Sequence, residues 1–458
     1  MDITNSILQQ KEYFKNQQTK NISFRKKSLQ RLKSEIQKKE SEIIDALYKD
    51  FKKSEFESYA TEIGIILAEL NLVIKKINAW AKPKTVLPTM LNFPSWSKIY
   101  KEPFGSVLII APWNYPFQLA LSPLIGAVSA GNTVVLKPSE LTPHTSAILS
   151  QIIENVFDKN HVCSIEGDVS VSQKLLEQRW DYIFFTGSVA VGKIVAKAAA
   201  NFLTPTTLEL GGKSPCIVDE TANLKIAARR IVWGKFINGG QTCIAPDYIL
   251  VHKKVKDKFI HNIKQEIENA YGSDPKNSKD YPRIINLRNF NRLEIMLKNE
   301  KISVGGHTDA DDLYISPTLI NDPSLNSEVM QDEIFGPILP VLTYSSEEEI
   351  NQVISHYEKP LSFYIFTKNN SFAKKLIKKF SFGGGTINDT IVHFANHRLP
   401  FGGVGHSGIG AYHGKLSFDT FTHNKGVTKR FNWLDFPLKY APYEGKLKTI
   451  KFFLKHFS

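Results

Sequence analysis

The spacing of apolar residues divides the chain into a helical beginning and a longer region in which strands and helices alternate. In residues 5–80 apolar side chains recur at intervals of three and four, which predicts amphipathic helices. From about residue 106, short apolar runs at 107–110, 133–136 and 182–185 are separated by helical stretches. This alternation predicts a mostly parallel, doubly wound α/β sheet, in which ligands bind at the carboxyl ends of the strands.

A second α/β region is predicted from about residue 209. Its candidate strands lie at 214–218, 248–251, 338–342 and 362–366, and its end is bracketed by glycine-rich stretches at 383–385 and 402–405. Between residues 85 and 100 the chain contains Pro, Phe and Trp without helical periodicity. That segment is predicted to be an extended excursion or hairpin that leaves the main body.

The length of 458 residues and the hydrophobic content of 42% suffice for two or three compact units. The formal charge is +13, and most of the excess lies near the ends. Residues 11–54 contain 13 Lys and Arg against 6 Asp and Glu, and residues 438–458 contain 5 Lys against 1 Glu. In residues 11–54 the charges alternate with apolar residues at helical spacing, which indicates solvated helix faces. We therefore predict no nucleic-acid partner.

The three cysteines are widely spaced and show no CxxC or Cys/His pattern of a zinc site or disulfide framework. We therefore predict no metal, a reducing compartment, and inert packing roles for Cys163 and Cys216. The chain does not begin with a basic segment followed by an apolar core, and no apolar run reaches the ~18 residues of a membrane span. A cytoplasmic location is expected.

Two polar clusters follow predicted strands of the first sheet. Gly187, Ser188 and Gly192 lie between a strand and a helix of small residues, where free N–H groups and the helix dipole can bind a pyrophosphate. Because serine replaces the second glycine of the usual fingerprint, a plain strand-helix turn is the alternative. Lys137 and Glu140 can bind the hydroxyls of an adenine ribose, or can simply form the first turn of a helix.

Two further residues are candidates for acid-base and nucleophilic chemistry. Glu209 lies among apolar neighbours, where burial raises the pKa of a carboxyl towards that of a general base, although a lone glutamate is more often structural. Cys243 follows Gly239, Gly240 and a threonine, and such a loop can present a thiol. The alternative is that Cys243 is a small buried hydrophobe.

Together these residues resemble an aldehyde dehydrogenase, most closely the class 3 branch that includes fatty-aldehyde dehydrogenases. The match runs in order over roughly residues 20–430. The segments that carry it are Ala-Pro-Trp-Asn-Tyr-Pro at 111–116, Lys-Pro-Ser-Glu at 137–140, Phe-Thr-Gly-Ser at 185–188, Leu-Glu-Leu-Gly-Gly-Lys-Ser-Pro at 208–215, Gly-Gly-Gln-Thr-Cys at 239–243, Glu-Ile-Phe-Gly-Pro at 333–337, Leu-Pro-Phe-Gly-Gly-Val-Gly at 399–405 and, for class 3 in particular, 407–414.

The resemblance implies an α/β fold with a doubly wound dinucleotide-binding domain, a second α/β catalytic domain and a small oligomerisation arm. The implied boundaries are 1–84 with 100–208 for the first domain, 209–414 for the second, 85–99 with 415–430 for the arm, and 431–458 for a carboxy-terminal segment with an amphipathic basic helix. It also implies a homodimer in which the carboxy-terminal segment reaches across to the partner.

The resemblance implies that the Cys243 thiolate attacks the aldehyde carbonyl. The Asn114 amide and the Cys243 backbone N–H then hold the oxyanion. After hydride transfer, a water deprotonated by Glu209 hydrolyses the thioester. Glu209 argues against relatives that pass the acyl group to coenzyme A. The rival interpretation is a catalytically silent binding protein of the same fold, against which the presence of all three residues argues.

The same resemblance implies the cofactor contacts. The corresponding residues are Lys137 and Glu140 for the adenine ribose, Gly187 and Ser188 for the pyrophosphate, Glu333 for the nicotinamide ribose, and Phe335 and Phe401 beside the nicotinamide. Because Glu140 should repel a 2′-phosphate, NAD is expected to be preferred and NADP tolerated.

By the same resemblance Tyr115, Thr242 and His413 lie near the substrate tunnel. They imply an aromatic-lined tunnel for medium or long aliphatic or aromatic aldehydes. Tyr115 could instead pack in the core, and His413 could be a structural histidine. A specialist for a small polar semialdehyde is the enzymatic alternative, and it would require a cationic side chain in the tunnel.

Two features differ from the common pattern. Gly240 stands where serine is common in class 3 proteins, and a second glycine is expected to loosen the loop before Cys243. Residues 446–458 place Leu447, Ile450 and other apolar residues on one helical face and lysines opposite, a segment too short to span a membrane. It can dock on the subunit or its partner, which we favour, or lie on an anionic membrane surface.

Overall fold

The computed structural model describes residues 3–89 and 92–457. Its amino-terminal part is helical, as the apolar spacing predicts. The helices are α1 Ile3–Lys15, α2 Ile22–Lys38, α3 Glu40–Phe51, α4 Glu55–Ser58 and α5 Gly64–Ala81. Asn21 begins α2 by accepting hydrogen bonds from the N–H groups of Ser23 and Phe24. Between α4 and α5 the chain makes a π-helical turn, Tyr59–Ile63, a form that is frequent at functional sites.

The predicted excursion is a pair of antiparallel strands, β1 Lys84–Val86 and β2 Ser95–Pro103. Met90 and Leu91, which belong to the predicted arm, lie outside the described residues.

The next part of the chain forms the first sheet and its helices. They are β3 Ser106–Ile110, α6 Gln118–Ala130, β4 Thr133–Lys137, α7 Pro143–Val156, β5 Val162–Ser164, α8 Val169–Leu176, β6 Tyr182–Thr186, α9 Val189–Ala200 and β7 Thr206–Glu209. The strands pair in parallel in the order β7-β6-β3-β4-β5. Val107 packs with the helices on one face and Leu108 with those on the other, so both faces of this sheet are buried, as predicted.

The second α/β region follows with a seven-stranded sheet. Its elements are β8 Pro215–Val218, α10 Leu224–Phe236, β9 Tyr248–His252, α11 Lys256–Tyr271, α12 Leu287–Leu297, β10 Ile302–Val304, β11 Thr308–Asp309, β12 Tyr314–Ile315, β13 Thr318–Asn321, α13 Glu328–Gln331, β14 Ile338–Tyr344, α14 Glu347–Ser355, β15 Ser362–Phe366, α15 Asn370–Lys379 and β16 Gly384–Ile387. The order is β10-β13-β14-β9-β8-β15-β16, with only β10 antiparallel, while β11 and β12 form a separate pair.

The chain then returns to the earlier parts of the molecule through β17 Gly408–Ile409, α16 Lys415–Thr420, β18 Thr422–Arg430 and α17 Leu447–Phe457. Strand β17 pairs antiparallel with β7, and β18 pairs antiparallel with β2. Phe418 of α16 packs in the core of the first sheet. Glu209 therefore belongs to the first sheet, although the sequence pattern put it at the start of the second region. The domain boundaries remain a prediction.

None of the helices in the described ranges is long and apolar enough to cross a membrane.

Candidate active site

A cavity of about 1270 Å³ lies at the carboxyl ends of the strands of the first sheet and extends to the loop after α10. Twelve of the thirteen predicted site residues line it. These are Asn114, Tyr115, Lys137, Glu140, Gly187, Ser188, Glu209, Thr242, Cys243, Glu333, Phe335 and Phe401. Residues that lie up to 287 positions apart in the chain thus meet at one site, because parallel strands bring their carboxyl ends to one edge.

The turn between β6 and α9 has the geometry of an anion-binding site. Ser188 begins α9, and its hydroxyl accepts a hydrogen bond from the N–H of Val191. A side chain at Gly187 would lie 2.5 Å from the ring of Phe185, so glycine fits best here. The first N–H groups of the twelve-residue helix α9 carry the positive end of its dipole towards the cavity.

Lys137 and Glu140 form an ion pair at the end of β4. The buried Lys137 ammonium donates to the Pro138 carbonyl at 2.7 Å and to the Glu140 carboxylate at 3.1 Å. Helix α7 begins only at Pro143, so the alternative in which these residues form the first turn of a helix is wrong. The carboxylate of Glu140 is partly exposed at the cavity, where a ligand hydroxyl can reach it.

Glu209 ends β7 inside the protein, with 3% of its surface exposed. Within the described part of the chain, neither of its carboxyl oxygens has a hydrogen-bond partner. Burial raises the pKa of this carboxyl well above its usual value, as the apolar neighbours predict. A carboxyl group that lines a cavity and is not engaged elsewhere can bind and deprotonate a water.

The loop that carries Cys243 begins where α10 ends. Asn238, Gly239 and Gly240 have φ values of 54°, 61° and 74°, so three successive residues adopt the left-handed conformation. The Gln241 amide then fastens the loop: it donates to the carbonyls of Asn238 and Arg283 and accepts from the N–H of Ile285, at 3.0 to 3.1 Å. The thiol of Cys243 is half-buried at the cavity.

The expectation that Gly240 loosens this loop is wrong. A Cβ atom at Gly240 would lie 2.3 Å from the carbonyl oxygen of Gly336 and 2.9 Å from the nitrogen of Pro337. The glycine is therefore packed against another backbone segment in a conformation that side chains rarely adopt. Close packing and the Gln241 hydrogen bonds hold the loop in place.

The pKa of the Cys243 thiol is raised, first by burial and then by the nearby negative charges of Glu333 and Glu209. The backbone N–H groups of Cys243 and Ile244 oppose this effect, because they stabilise negative charge on the sulfur. A proton acceptor is needed to generate the thiolate near neutral pH. The two glutamates are the carboxylates that act on the pKa of this sulfur.

Asn114 and Tyr115 approach the loop from the segment between β3 and α6. The buried Asn114 donates from its amide to the Gln241 carbonyl at 3.0 Å. The hydroxyl of Tyr115 is 2.7 Å from that of Thr242. The ammonium group of Lys53 lies 4.6 Å from the centre of the Tyr115 ring. Tyr115 and Thr242 are thus joined by a hydrogen bond between their hydroxyl groups, next to Cys243.

The placement of His413 corrects its prediction as a residue that faces the tunnel. His413 is not among the residues that line the cavity, because the rings of Phe401 and Phe394 cover it at 5.1 Å and 4.5 Å. Its backbone N–H donates to the Ser417 hydroxyl at 2.9 Å. Burial lowers the pKa of its imidazole to about 3.

Glu333 and Phe335 also line the cavity, and Glu333 acts on the pKa of the thiol. A side chain at Gly211 would lie 2.0 Å from a Glu333 carboxyl oxygen, so this glycine makes room for the carboxylate. Burial, followed by the charge of Asp247, raises the pKa of Glu333 to about 8. The Phe335 ring meets Trp113 edge to face at 5.2 Å. Sequence reasoning did not assign roles to Gly211 and Trp113, although both lie within the motifs.

Sequence reasoning also missed a cavity wall formed by α5 with its preceding turn, the end of α10 and a segment before β17. The lining residues from these parts are Ala60, Thr61, Ile65, Trp233, Ile237, Ile391, Val392, Phe394 and Ala395. None of these described lining residues carries a charge. Three distant segments contribute to this wall, so no local spacing in the sequence could have identified it.

No group of three or more His, Cys, Asp or Glu residues in the described ranges could hold a metal ion.

A strand-helix anion site that shares a cavity with a thiol and an unengaged carboxyl group can combine binding of a phosphate-containing ligand with nucleophilic and acid-base chemistry. The sequence matches the profile described as "Aldehyde dehydrogenase family" over residues 1–427. The chain belongs to the aldehyde dehydrogenase family and to its class 3 branch, and it is an NAD(P)-dependent aldehyde dehydrogenase.

Individual relatives cover nearly the whole chain. It is 50% identical over 448 residues to the 4,4'-diaponeurosporen-aldehyde dehydrogenase of Staphylococcus aureus (strain NCTC 8325 / PS 47), which covers 97% of this chain and 98% of that protein. It is 43% identical to the aldehyde dehydrogenase family 3 member A2 of Mus musculus, with 98% and 93% covered. It is 44% identical to the "Aldehyde dehydrogenase, dimeric NADP-preferring" of Rattus norvegicus, with 97% and 99% covered.

A solved structure is equally similar. The structure described as "Substrate bound state of Staphylococcus Aureus AldH" has a TM-score of 0.97 and 50% identity, and the alignment covers 99% of this chain and 100% of that one.

Proposed function

We propose that this enzyme oxidises apolar aldehydes, either medium- to long-chain aliphatic or aromatic, to their carboxylates. The observation that carries the proposal is the uncharged wall in the cavity that also contains Cys243 and Glu209. An apolar chain gains about 0.8 kcal/mol for each methylene group that it buries. The relative named for 4,4'-diaponeurosporen-aldehyde supports an apolar substrate.

In the proposed reaction the Cys243 thiolate forms a bond to the carbonyl carbon of the aldehyde. The carbonyl oxygen becomes an oxyanion, which the Asn114 amide and the Cys243 backbone N–H stabilise with hydrogen bonds. Asn114 is buried, so such a hydrogen bond would act in a water-poor environment, where it is stronger than in water. The thiohemiacetal then loses a hydride and becomes a thioester bound to Cys243.

Hydrolysis of the thioester requires a water and a base. We assign the base to Glu209, because its carboxyl oxygens are unengaged and its raised pKa favours proton uptake near neutral pH. Glu209 removes a proton as the water oxygen attacks the thioester carbon. The carbon–sulfur bond breaks, the acid leaves as a carboxylate, and Cys243 regains its thiol.

The residues at the cavity fit a nicotinamide dinucleotide. We propose that the amino end of α9 with Ser188 binds the pyrophosphate, that Lys137 and Glu140 bind the adenine ribose, and that Glu333 binds the nicotinamide ribose. The chemistry of these groups supports the fit: the first N–H groups of α9 can donate to phosphate oxygens, and the partly exposed Glu140 carboxylate can accept from ribose hydroxyls. When bound, NAD accepts the hydride.

NAD is expected to be used with kcat/KM at least about tenfold above that for NADP, because the Glu140 carboxylate would lie beside a 2′-phosphate and like charges repel. Lys137 is already paired with Glu140, so it is not a free cation for that phosphate. Glu140→Gln should lower the NAD to NADP ratio by roughly tenfold, as measured by steady-state kinetics. Glu177→Gln, an exposed site outside the cavity, is the control. Equal use of both cofactors by the unaltered enzyme would contradict this preference, and the relative named NADP-preferring makes that comparison informative.

A panel of aldehydes tests the substrate class. With saturated aldehydes from acetaldehyde to hexadecanal, kcat/KM is expected to rise roughly fourfold per added methylene until the uncharged wall is covered. Benzaldehyde should also be oxidised. Formation of NADH and NADPH is followed by absorbance. A sharp optimum at succinic semialdehyde would contradict the apolar substrate and favour the polar alternative.

We propose a homodimer in which α17 docks on the partner subunit. Leu447 of α17 is 62% exposed on the single subunit, which leaves apolar surface that a partner subunit can cover. A relative described as dimeric supports the proposal. We propose a cytoplasmic location.

Deletion of residues 446–458 is expected to weaken the dimer in sedimentation experiments, because the apolar face of α17 would no longer cover the partner. Flotation with phosphatidylserine liposomes serves as the parallel measurement. If the intact protein floats and the truncated one does not, α17 binds an anionic membrane surface and the docking proposal is wrong.

A further inference from the structure

We propose that Glu57 is a positioning residue for the reaction. The carboxylate of Glu57 fixes the position of the Cys243 loop relative to Asn114. The proposal rests on the function proposed above, in which both residues act on the aldehyde. Nothing in the spacing of the motifs points to this glutamate. It lies in α4, and in the sequence it is distant from every segment that carries the family resemblance.

The direct contact is a buried hydrogen bond. The Glu57 carboxylate accepts from the backbone N–H of Asn238 at 2.8 Å, across 181 residues of sequence. Helix α10 ends just before this point, with the N–H of Ile237 bonded to the Trp233 carbonyl. The next N–H group is buried at a left-handed residue and has lost its helical acceptor. Buried N–H groups need a partner, and Glu57 supplies it.

Asn238 transmits this contact to the catalytic residues. Its side-chain amide donates to the Asn114 carbonyl at 2.7 Å and to the Gln241 carbonyl at 3.2 Å. The Asn114 amide donates to the same Gln241 carbonyl at 3.0 Å. Two asparagines therefore converge on a carbonyl group two residues before Cys243. A shift of Asn238 would move the proposed oxyanion donor and the thiol relative to each other.

A second buried carboxylate, that of Glu62 in the turn after α4, binds the segment that carries Asn114. Glu62 forms a buried ion pair with Lys53 at 2.6 Å, and its other oxygen accepts from the N–H of Phe117 at 2.9 Å. Phe117 closely follows Asn114 in the chain. Helix α4 thus binds the loop of Cys243 through Glu57, and the turn that follows α4 binds the segment of Asn114 through Glu62.

The surroundings of Glu57 make its side-chain oxygen more important than its charge. Burial raises the pKa of this carboxyl to about 7, so it is partly protonated near neutral pH. The titratable groups that interact with it are Lys53, Glu62, Tyr115, Tyr271 and Asp280. A neutral side chain with an oxygen at the same place should therefore preserve the contact. An apolar side chain of similar size should break it while remaining compatible with burial.

The matched variants are Glu57→Gln, which keeps an acceptor oxygen, and Glu57→Leu, which removes it. We expect Glu57→Leu to lower kcat by at least about tenfold, because displacement of reacting groups by an ångström has large effects on rate. The KM for NAD should stay within about twofold, because Glu57 is not among the residues that line the cavity. Glu57→Gln should retain kcat within about threefold. Glu55→Leu, at an exposed position of the same helix, is the control.

The rate at which iodoacetamide alkylates Cys243 reports how exposed the thiol is, and it can be measured without turnover. Mass spectrometry of the intact enzyme locates the alkylated residue. Release of the loop should expose the half-buried thiol, so Glu57→Leu should react several-fold faster than the unaltered enzyme and Glu57→Gln should not. Thermal unfolding followed by circular dichroism verifies that the variants are folded, and Glu57→Ala replaces the leucine variant if that one fails to fold.

Unaltered kcat and alkylation in Glu57→Leu would overturn the proposal, as would a Glu57→Gln variant impaired to the same degree. If the unaltered enzyme oxidised no aldehyde, the proposed function would fail, whereas the alkylation rates would still decide whether Glu57 holds the loop.

Discussion

Cys243→Ala is expected to lower aldehyde oxidation by at least about four orders of magnitude, because Cys243 carries the only thiol among the described residues that line the cavity. The variant should still bind NAD with nearly unaltered affinity, since Cys243 is not one of the proposed cofactor contacts. Rapid-mixing measurements should therefore show neither steady-state NADH formation nor a burst. The thermal midpoint should change little, because the thiol is only half-buried.

The matched control is Cys216→Ala. Cys216 lies in β8, fully buried in the core of the second sheet, and burial raises the pKa of its thiol far above the usual value. Its substitution should leave kcat nearly unchanged while it lowers stability slightly, as expected for a small core residue. Substantial turnover by Cys243→Ala would contradict the covalent mechanism. If Cys216→Ala folded normally but lost turnover, the assignment of Cys243 as the nucleophile would be wrong.

Glu209→Gln is expected to leave a rapid burst of NADH and to slow steady-state turnover by about 10² to 10⁴-fold. The amide is similar in size but cannot accept the proton of the attacking water. One equivalent of thioester should therefore accumulate on Cys243, where mass spectrometry can detect it as an added acyl group. Loss of the burst as well would show that Glu209 also activates the thiol. Glu209 is close enough to Cys243 for its charge to raise the pKa of the thiol.

The pH dependence follows from the raised pKa of Glu209. Below that pKa the carboxyl is protonated and cannot act as a base, so hydrolysis of the thioester should accelerate as pH rises through it. This dependence should disappear from the residual hydrolysis in Glu209→Gln. Stability has the opposite sign: ionisation of the buried carboxyl opposes folding, so this group destabilises the native state as pH rises above its unfolded pKa. Glu166→Gln, at an exposed position, controls for general charge effects.

The sequence predicted the long regular elements well because their signal is local. The apolar run at 362–366 is β15 with identical bounds, and the runs at 107–110 and 182–185 fall within β3 and β6. The sequence did not predict β16, because Gly384 and Gly385 have no side chains to form an apolar pattern. It also missed β7, in which two threonines interrupt the apolar signal before Glu209.

The sequence by itself determined the residue types and the family to which they belong. The thiol of Cys243, the carboxyl of Glu209 and the amide of Asn114 could be named as candidates from their motifs alone, since a motif specifies chemistry and local backbone. Their roles remain predictions that the experiments above test.

Only the tertiary structure decided which groups meet, which are covered and which are held. It placed Glu209 in the first sheet through its pairing with Thr186 and Gly408. It put His413 behind aromatic rings and packed Gly240 against the backbone of Gly336. These outcomes depend on contacts between segments that are distant in the chain. The periodicity of apolar residues predicts whether a residue is buried, but it does not predict which residues it packs against.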